Sequence, residues 1–134
     1  MRITSTSPTL QCELSSREDA PTYWGYSVRT SPSLGALLKE HAADVTVITS
    51  RRGVDASSNW RRMVERLFRV GSILVVFGST REGVLEILRQ ENLDPHVFTD
   101  LILNLFPRQG TATVRVEEAV LGGLAVLNVA AMAG

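Results

Sequence analysis

The sequence predicts an α/β domain with a mostly parallel sheet covered by helices on both faces, and three observations carry that expectation. Short apolar runs alternate with helical patterns from Tyr23 to the end of the chain. Asp44–Thr49 (DVTVIT), Ile73–Phe77 (ILVVF) and Leu101–Leu105 (LILNL) are near-continuous apolar runs, the pattern of strands buried on both faces. Each run ends in a break containing glycine or proline, and a helical pattern follows, as in repeated βα units.

The elements follow in order. Residues 1–21 read as an N-terminal extension, in which Leu10, Cys12 and Leu14 alternate as a short edge strand would. The domain proper is expected over 22–134. Tyr23–Arg29 (YWGYSVR) is aromatic and β-branched, which predicts a strand. Ser31-Pro32-Ser33 then starts a short helix with Leu34, Leu37 and Leu38 on one face. After the 44–49 strand, Ser50-Arg51-Arg52-Gly53 reads as a break. Trp60, Met63, Val64, Leu67 and Phe68 recur at helical spacing, predicting a buried stripe that includes Trp60, with Gly71 ending the helix. Val84, Leu85, Ile87 and Leu88 mark another helix, and residues 92–100 a polar connection. A final helix runs from about Val116 to Met132. It is apolar nearly all round, so it belongs in the core or against a partner subunit.

Composition narrows the function classes. At 134 residues the chain can bury one core, and 44% apolar with 21% charged residues argues against wholesale disorder. The net charge is zero, so nucleic-acid binding would need a local patch. Six arginines between Arg51 and Arg69, against only Asp55 and Glu65, form the one basic cluster, readable as a solvated helix face or as a phosphate track. A single cysteine, Cys12, excludes a disulfide framework, and neither histidine has metal-ligand spacing, so no metal is expected. No apolar run approaches a membrane span and no signal-peptide core is present, which points to the cytoplasm.

In sheets of this kind ligands sit at the carboxyl ends of the strands, which directs attention to 50–53, 78–83 and 106–113. Phe77-Gly78-Ser79-Thr80-Arg81-Glu82-Gly83 places glycines after a buried strand but matches neither a P-loop nor GxGxxG. In Phe106-Pro107-Arg108-Gln109-Gly110-Thr111-Ala112-Thr113, proline fixes the strand exit and Gly110 gives backbone amides access to a ligand. Thr111 or Thr113 could cap the last helix, with Glu117-Glu118 in its first turn. Both loops also read as plain strand–turn–helix junctions.

Two segments together resemble the RNA methyltransferase family of archaea and eukaryotes within the SPOUT superfamily: Tyr23–Arg29, and Asn104–Leu121 (NLFPRQGTATVRVEEAVL). Thr49-Ser50-Arg51 stands where that family has an ATSR-like turn, and Phe77-Gly78 where it has a strand ending in FGGP. The resemblance runs over roughly residues 22–130. It implies a SPOUT-like fold with a C-terminal trefoil knot, a homodimer or a pairing with a separate N-terminal half, and S-adenosylmethionine as cofactor. Cofactor contacts would come from Thr49, Ser50, Phe77, Gly78, Leu105, Pro107, Gln109, Gly110, Thr111 and Thr113. Arg115 and Glu118 would face the reaction or the dimer seam, and Arg51, Arg52, Arg61 and Arg62 would meet RNA.

Ala112 stands where the family pattern carries arginine, Ser79-Thr80 where it carries Gly-Pro, and Val116 where it carries threonine. Two functional expectations therefore stand side by side. One is an S-adenosylmethionine-dependent methyltransferase acting on RNA, ribosomal RNA above all. The other is a non-catalytic relative that binds ribosomal RNA or the large ribosomal subunit.

Overall fold

The computed structural model describes residues 2–9, 11–14 and 27–134. The chain divides into two compact units, residues 1–30 and 31–134. In the first, β1 (Arg2–Ser5) and β2 (Gln11–Glu13) form an antiparallel hairpin with an irregular register between Ile3 and Ser5. Residues 23–26 of the expected aromatic strand lie outside the described residues, and Ser27–Arg29 take no strand conformation.

The second unit holds a three-stranded parallel sheet in the order β4-β3-β5, with β3 (Val45–Asp55) at its centre, β4 (Ile73–Val76) and β5 (Leu101–Asn104). The mixed α/β class with a parallel sheet is as the apolar runs predict. Side-chain alternation divides the core in two. Val45 and Val47 of β3 join Leu101 and Leu103 of β5 on one face, under α2 (Trp60–Leu67) and α4 (Val116–Met132). Ile48 and Ile102 point the other way, with Val76, to α1 (Leu34–Glu40) and α3 (Val84–Gln90). Val47, Ile48, Leu101 and Leu103 are fully buried, each burial stabilising by roughly 1.5–3 kcal/mol.

Local chemistry sets the helix starts. Ser33 caps α1 by accepting the Ala36 N–H, and the Glu91 carboxylate accepts the N–H groups of Leu34 and Gly35 at 3.0 and 2.8 Å. This ties α1 to the end of α3. His41 is the C-cap of α1.

Three expectations need correction. The strand at 44–49 does not end at Ser50. It continues to Asp55, because Thr49 and Val54 both pair with Leu103 and residues 50–53 bulge out between them. Gly53 makes this possible: a β-carbon there would lie 2.6 Å from the Ile102 carbonyl oxygen. α2 ends at Leu67, and the left-handed residue beyond it is Arg69 (φ 59°), not Gly71. Trp60 is 37% exposed rather than core, because periodicity fixes the side of a helix and α2 only begins there. Met63 and Leu67 carry the buried stripe. No helix among the described residues is long and apolar enough to cross a membrane.

Candidate active-site cleft

The bulge of β3, the loop after β4 and the loop after β5 open onto one cleft of about 670 Å³ at the carboxyl ends of the strands. The start of α4 and Glu86 of α3 complete its wall. Phe77, Leu105, Phe106, Val114, Val116 and Ala119 supply apolar lining. Arg51, Arg52, Arg81 and Arg115 line the cleft together with Glu82, Glu86 and Glu117.

The glycine pair inside α4 packs behind three of the lining side chains. A β-carbon on Gly122 would sit 2.9 Å from the Phe106 ring, and one on Gly123 would sit 3.0 Å from Leu105 Cδ1 and 3.1 Å from Phe77 Cε1. Glycine within a helix costs about 1 kcal/mol against alanine, and here it lets α4 lie directly on three cleft side chains.

Hydrogen bonds fix the loops. Thr49 Oγ1 donates to the Val76 carbonyl at 2.8 Å, joining β3 just before its bulge to the end of β4. Ser79 Oγ accepts the N–H groups of Arg81 and Glu82 at 3.2 and 2.9 Å, and its own N–H donates to the Glu82 carbonyl, folding 79–82 into a tight turn. Asn104 Oδ1 accepts the Phe106 N–H at 3.1 Å while Nδ2 donates to Asp55 at 3.2 Å. Gln109 Nε2 donates to the carbonyls of Thr111 and Ala112. Arg51 also donates to the Ala112 carbonyl. The Arg52 guanidinium pairs with the Glu86 carboxylate at 2.9 Å.

Of the residues the sequence nominates for the cofactor, Thr49, Ser50, Phe77, Gly78, Leu105, Gln109 and Thr113 line the cleft. Pro107, Gly110 and Thr111 belong to the same loop but not to its lining. The left-handed residue of that loop is Arg108 (φ 62°), and a β-carbon on Gly110 would meet nothing within 4 Å. Thr111 and Thr113 do not cap α4. Its N-cap is Arg115, whose N–H donates to Glu118 Oε2 at 3.1 Å. Arg115 therefore lines the cleft, while the Glu118 carboxylate is turned back on the helix start and Glu117 stands in the lining.

The basic cluster divides. Arg51 and Arg52 reach the cleft, whereas Arg61 pairs with Glu65 at 3.7 Å, and Arg62 and Arg66 both hold Asp100, outside the lining. The Arg62 hydrogen bond depresses the Asp100 carboxyl below the usual aspartate value; burial opposes this, and Arg66 adds to the lowering.

The 78–83 loop that the sequence flags lines the cleft throughout, and the lining goes on to Glu86 of α3, which no motif marks. Asn104, Phe106 and Val114 join the cleft only through the path of the chain after β5.

A family model described as "Putative RNA methyltransferase" matches residues 5–127. Over 119 residues the chain is 37% identical to a human 28S rRNA (uridine-N(3))-methyltransferase, a match covering 84% of this chain and 30% of that protein. The Drosophila melanogaster protein of the same name is 35% identical over 119 residues, covering 84% of this chain and 24% of its own length. An uncharacterized protein of Haloarcula marismortui is 34% identical over 120 residues, 82% of this chain and 42% of its own. The chain thus spans less than half the length of these relatives.

Proposed function

The chain belongs to this RNA methyltransferase family, and from that premise we propose that its cleft binds S-adenosylmethionine and serves methyl transfer to ribosomal RNA. One observation carries the reading: the loops that bear Thr49-Ser50-Arg51, Phe77-Gly78 and the Asn104–Leu121 segment converge on one cleft at the strand ends. Its volume, about 670 Å³, falls within the range of small-molecule pockets. Its chemistry fits the donor as well, with aromatic and aliphatic surface for an adenine ring, hydroxyl and amide groups for a ribose, and guanidinium groups for a carboxylate.

When bound, S-adenosylmethionine supplies an electrophilic methyl group. The residues of the chain supply orientation and charge. Phe77, Leu105 and Phe106 present the apolar face, and Ser50, Gln109 and Thr113 the polar one. Arg52 and Arg81 offer guanidinium groups to RNA phosphates.

Relatives carry uridine N3 in their names, and the same target suits this cleft. That nitrogen is protonated at neutral pH, so methylation requires the proton to leave and charge on the flanking carbonyl oxygens to be stabilised. Arg115 is the cation for the second task, and Glu117 the carboxylate for the first.

The same reading takes the fold as SPOUT-like, with a C-terminal trefoil knot and residues 22–134 as the donor-binding domain working in the cytoplasm. It also pairs two copies of the chain. The outward face of α4 supports pairing, since Leu121, Leu124, Val129 and Met132 are exposed.

Isothermal titration calorimetry with S-adenosylmethionine and S-adenosylhomocysteine tests the proposal. Micromolar binding of both is expected. Absence of heat at high ligand concentration would overturn it and leave a non-catalytic, ribosome-binding relative.

A further inference from the structure

We propose that Arg52 and Glu86 form a charge latch over the cleft, which an RNA phosphate opens by taking the guanidinium from the carboxylate. The inference rests on the RNA-directed reading of the cleft and adds a control on entry to it. Arg52 stands on the bulge of β3 and Glu86 in the first turn of α3, so their contact joins two walls of the same cleft.

Three features make the pair exchangeable. Arg52 lies among the residues that bulge out of register with β5, and its side chain is 72% exposed. The ion pair rests on one contact, Nη1 to Oε1 at 2.9 Å, so most of the five guanidinium N–H donors remain for a second acceptor. A phosphate offers arginine the same planar two-point geometry as a carboxylate and carries a full charge, so it competes directly.

Neighbouring groups narrow the role to Arg52. Arg51, one residue earlier, is engaged with the Ala112 carbonyl, and Glu82 accepts from Gln90 Nε2 at 2.7 Å. Four arginines against three glutamates leave the lining with a small positive excess, which Glu86 limits. Its cost to RNA is its benefit to selectivity: an isolated anion gains little by displacing Glu86, whereas a polyanion also meets Arg81 and Arg115.

The test is fluorescence anisotropy of a labelled oligouridylate titrated with the full chain across a salt series. E86Q should bind about two- to fivefold tighter than wild type, the range of an exposed ion pair. Its log–log salt slope should steepen by about 0.7, one single-strand phosphate contact no longer offset by Glu86. R52Q should bind more weakly, and R52Q/E86Q should match R52Q. E65Q makes the same charge change beside Arg61, outside the cleft, and should bind as wild type does.

Unchanged affinity in E86Q would overturn the latch. So would a gain that persists in R52Q/E86Q or appears equally in E65Q, since each would make the effect one of total charge. Wild type that binds S-adenosylmethionine but no oligouridylate at low salt overturns the latch alone; wild type that binds neither overturns the reading beneath it. Thermal melts of each variant, expected within a few degrees of wild type, tie any change to the cleft.

Discussion

The guanidinium of Arg51, on the bulge of β3, donates a hydrogen bond to the carbonyl of Ala112, 61 residues further along the chain. Gln109 reaches the same carbonyl, so one backbone oxygen anchors the loop after β5 from two directions. The contact uses the main chain of residue 112, whatever side chain stands there.

Arg51→Ala should therefore loosen the 106–113 loop without unfolding the domain. S-adenosylmethionine affinity is expected to fall about fivefold, the effect of one charge-assisted hydrogen bond at a partly exposed site. Calorimetry measures the affinity, and an unchanged melting temperature separates loop positioning from loss of fold.

Gly53→Ala should destabilise the domain by about 1–3 kcal/mol, because the added carbon meets the backbone of Ile102 and Leu103 rather than a movable side chain. Urea unfolding gives the number. A variant as stable as wild type would mean that β3 and β5 separate easily at this point.

Gly110→Ala should leave stability within about 0.5 kcal/mol, since nothing lies within 4 Å of the added carbon. The fold gives no reason for glycine there, whereas a ligand approaching the loop backbone would. Severalfold weaker S-adenosylmethionine binding is expected; equal affinity would remove Gly110 from the binding set.

Asp100→Asn should lower stability at neutral pH by less than about 1 kcal/mol, as the Arg62 and Arg66 contacts are partly exposed. The folded-state pKa of Asp100 is depressed, chiefly by the Arg62 hydrogen bond. Its contribution is then fully present above the ordinary aspartate value and disappears as pH falls through the depressed one. Unfolding curves of wild type and variant should converge at acid pH.

What the sequence reveals follows from how local each cause is. α4 was legible because its apolar pattern runs unbroken, and Val116–Met132 matches its expected span. The central strand was legible only to Thr49. Ser50-Arg51-Arg52-Gly53 has the composition of a turn, and the reason it rejoins the sheet is the backbone of β5, some fifty residues away. Likewise, the sequence places Glu118 in the first turn of the last helix, but that its carboxylate accepts the Arg115 N–H follows only once α4 forms. Of the β1–β2 hairpin, the alternation of Leu10, Cys12 and Leu14 marks β2 (Gln11–Glu13), whereas no pattern in residues 2–5 marks its partner β1.

The interrupted pairing of β3 also shapes how the domain opens. Val45–Ile48 are held by β4, and Val54 and Asp55 are held again by β5 beyond the interruption. In hydrogen–deuterium exchange one strand should behave as two zones of slow exchange around a faster centre at 50–52, where the ladder is interrupted and Gly53 already lies against the β5 backbone. Such a pattern would let Arg51 and Arg52 shift while both flanks stay closed.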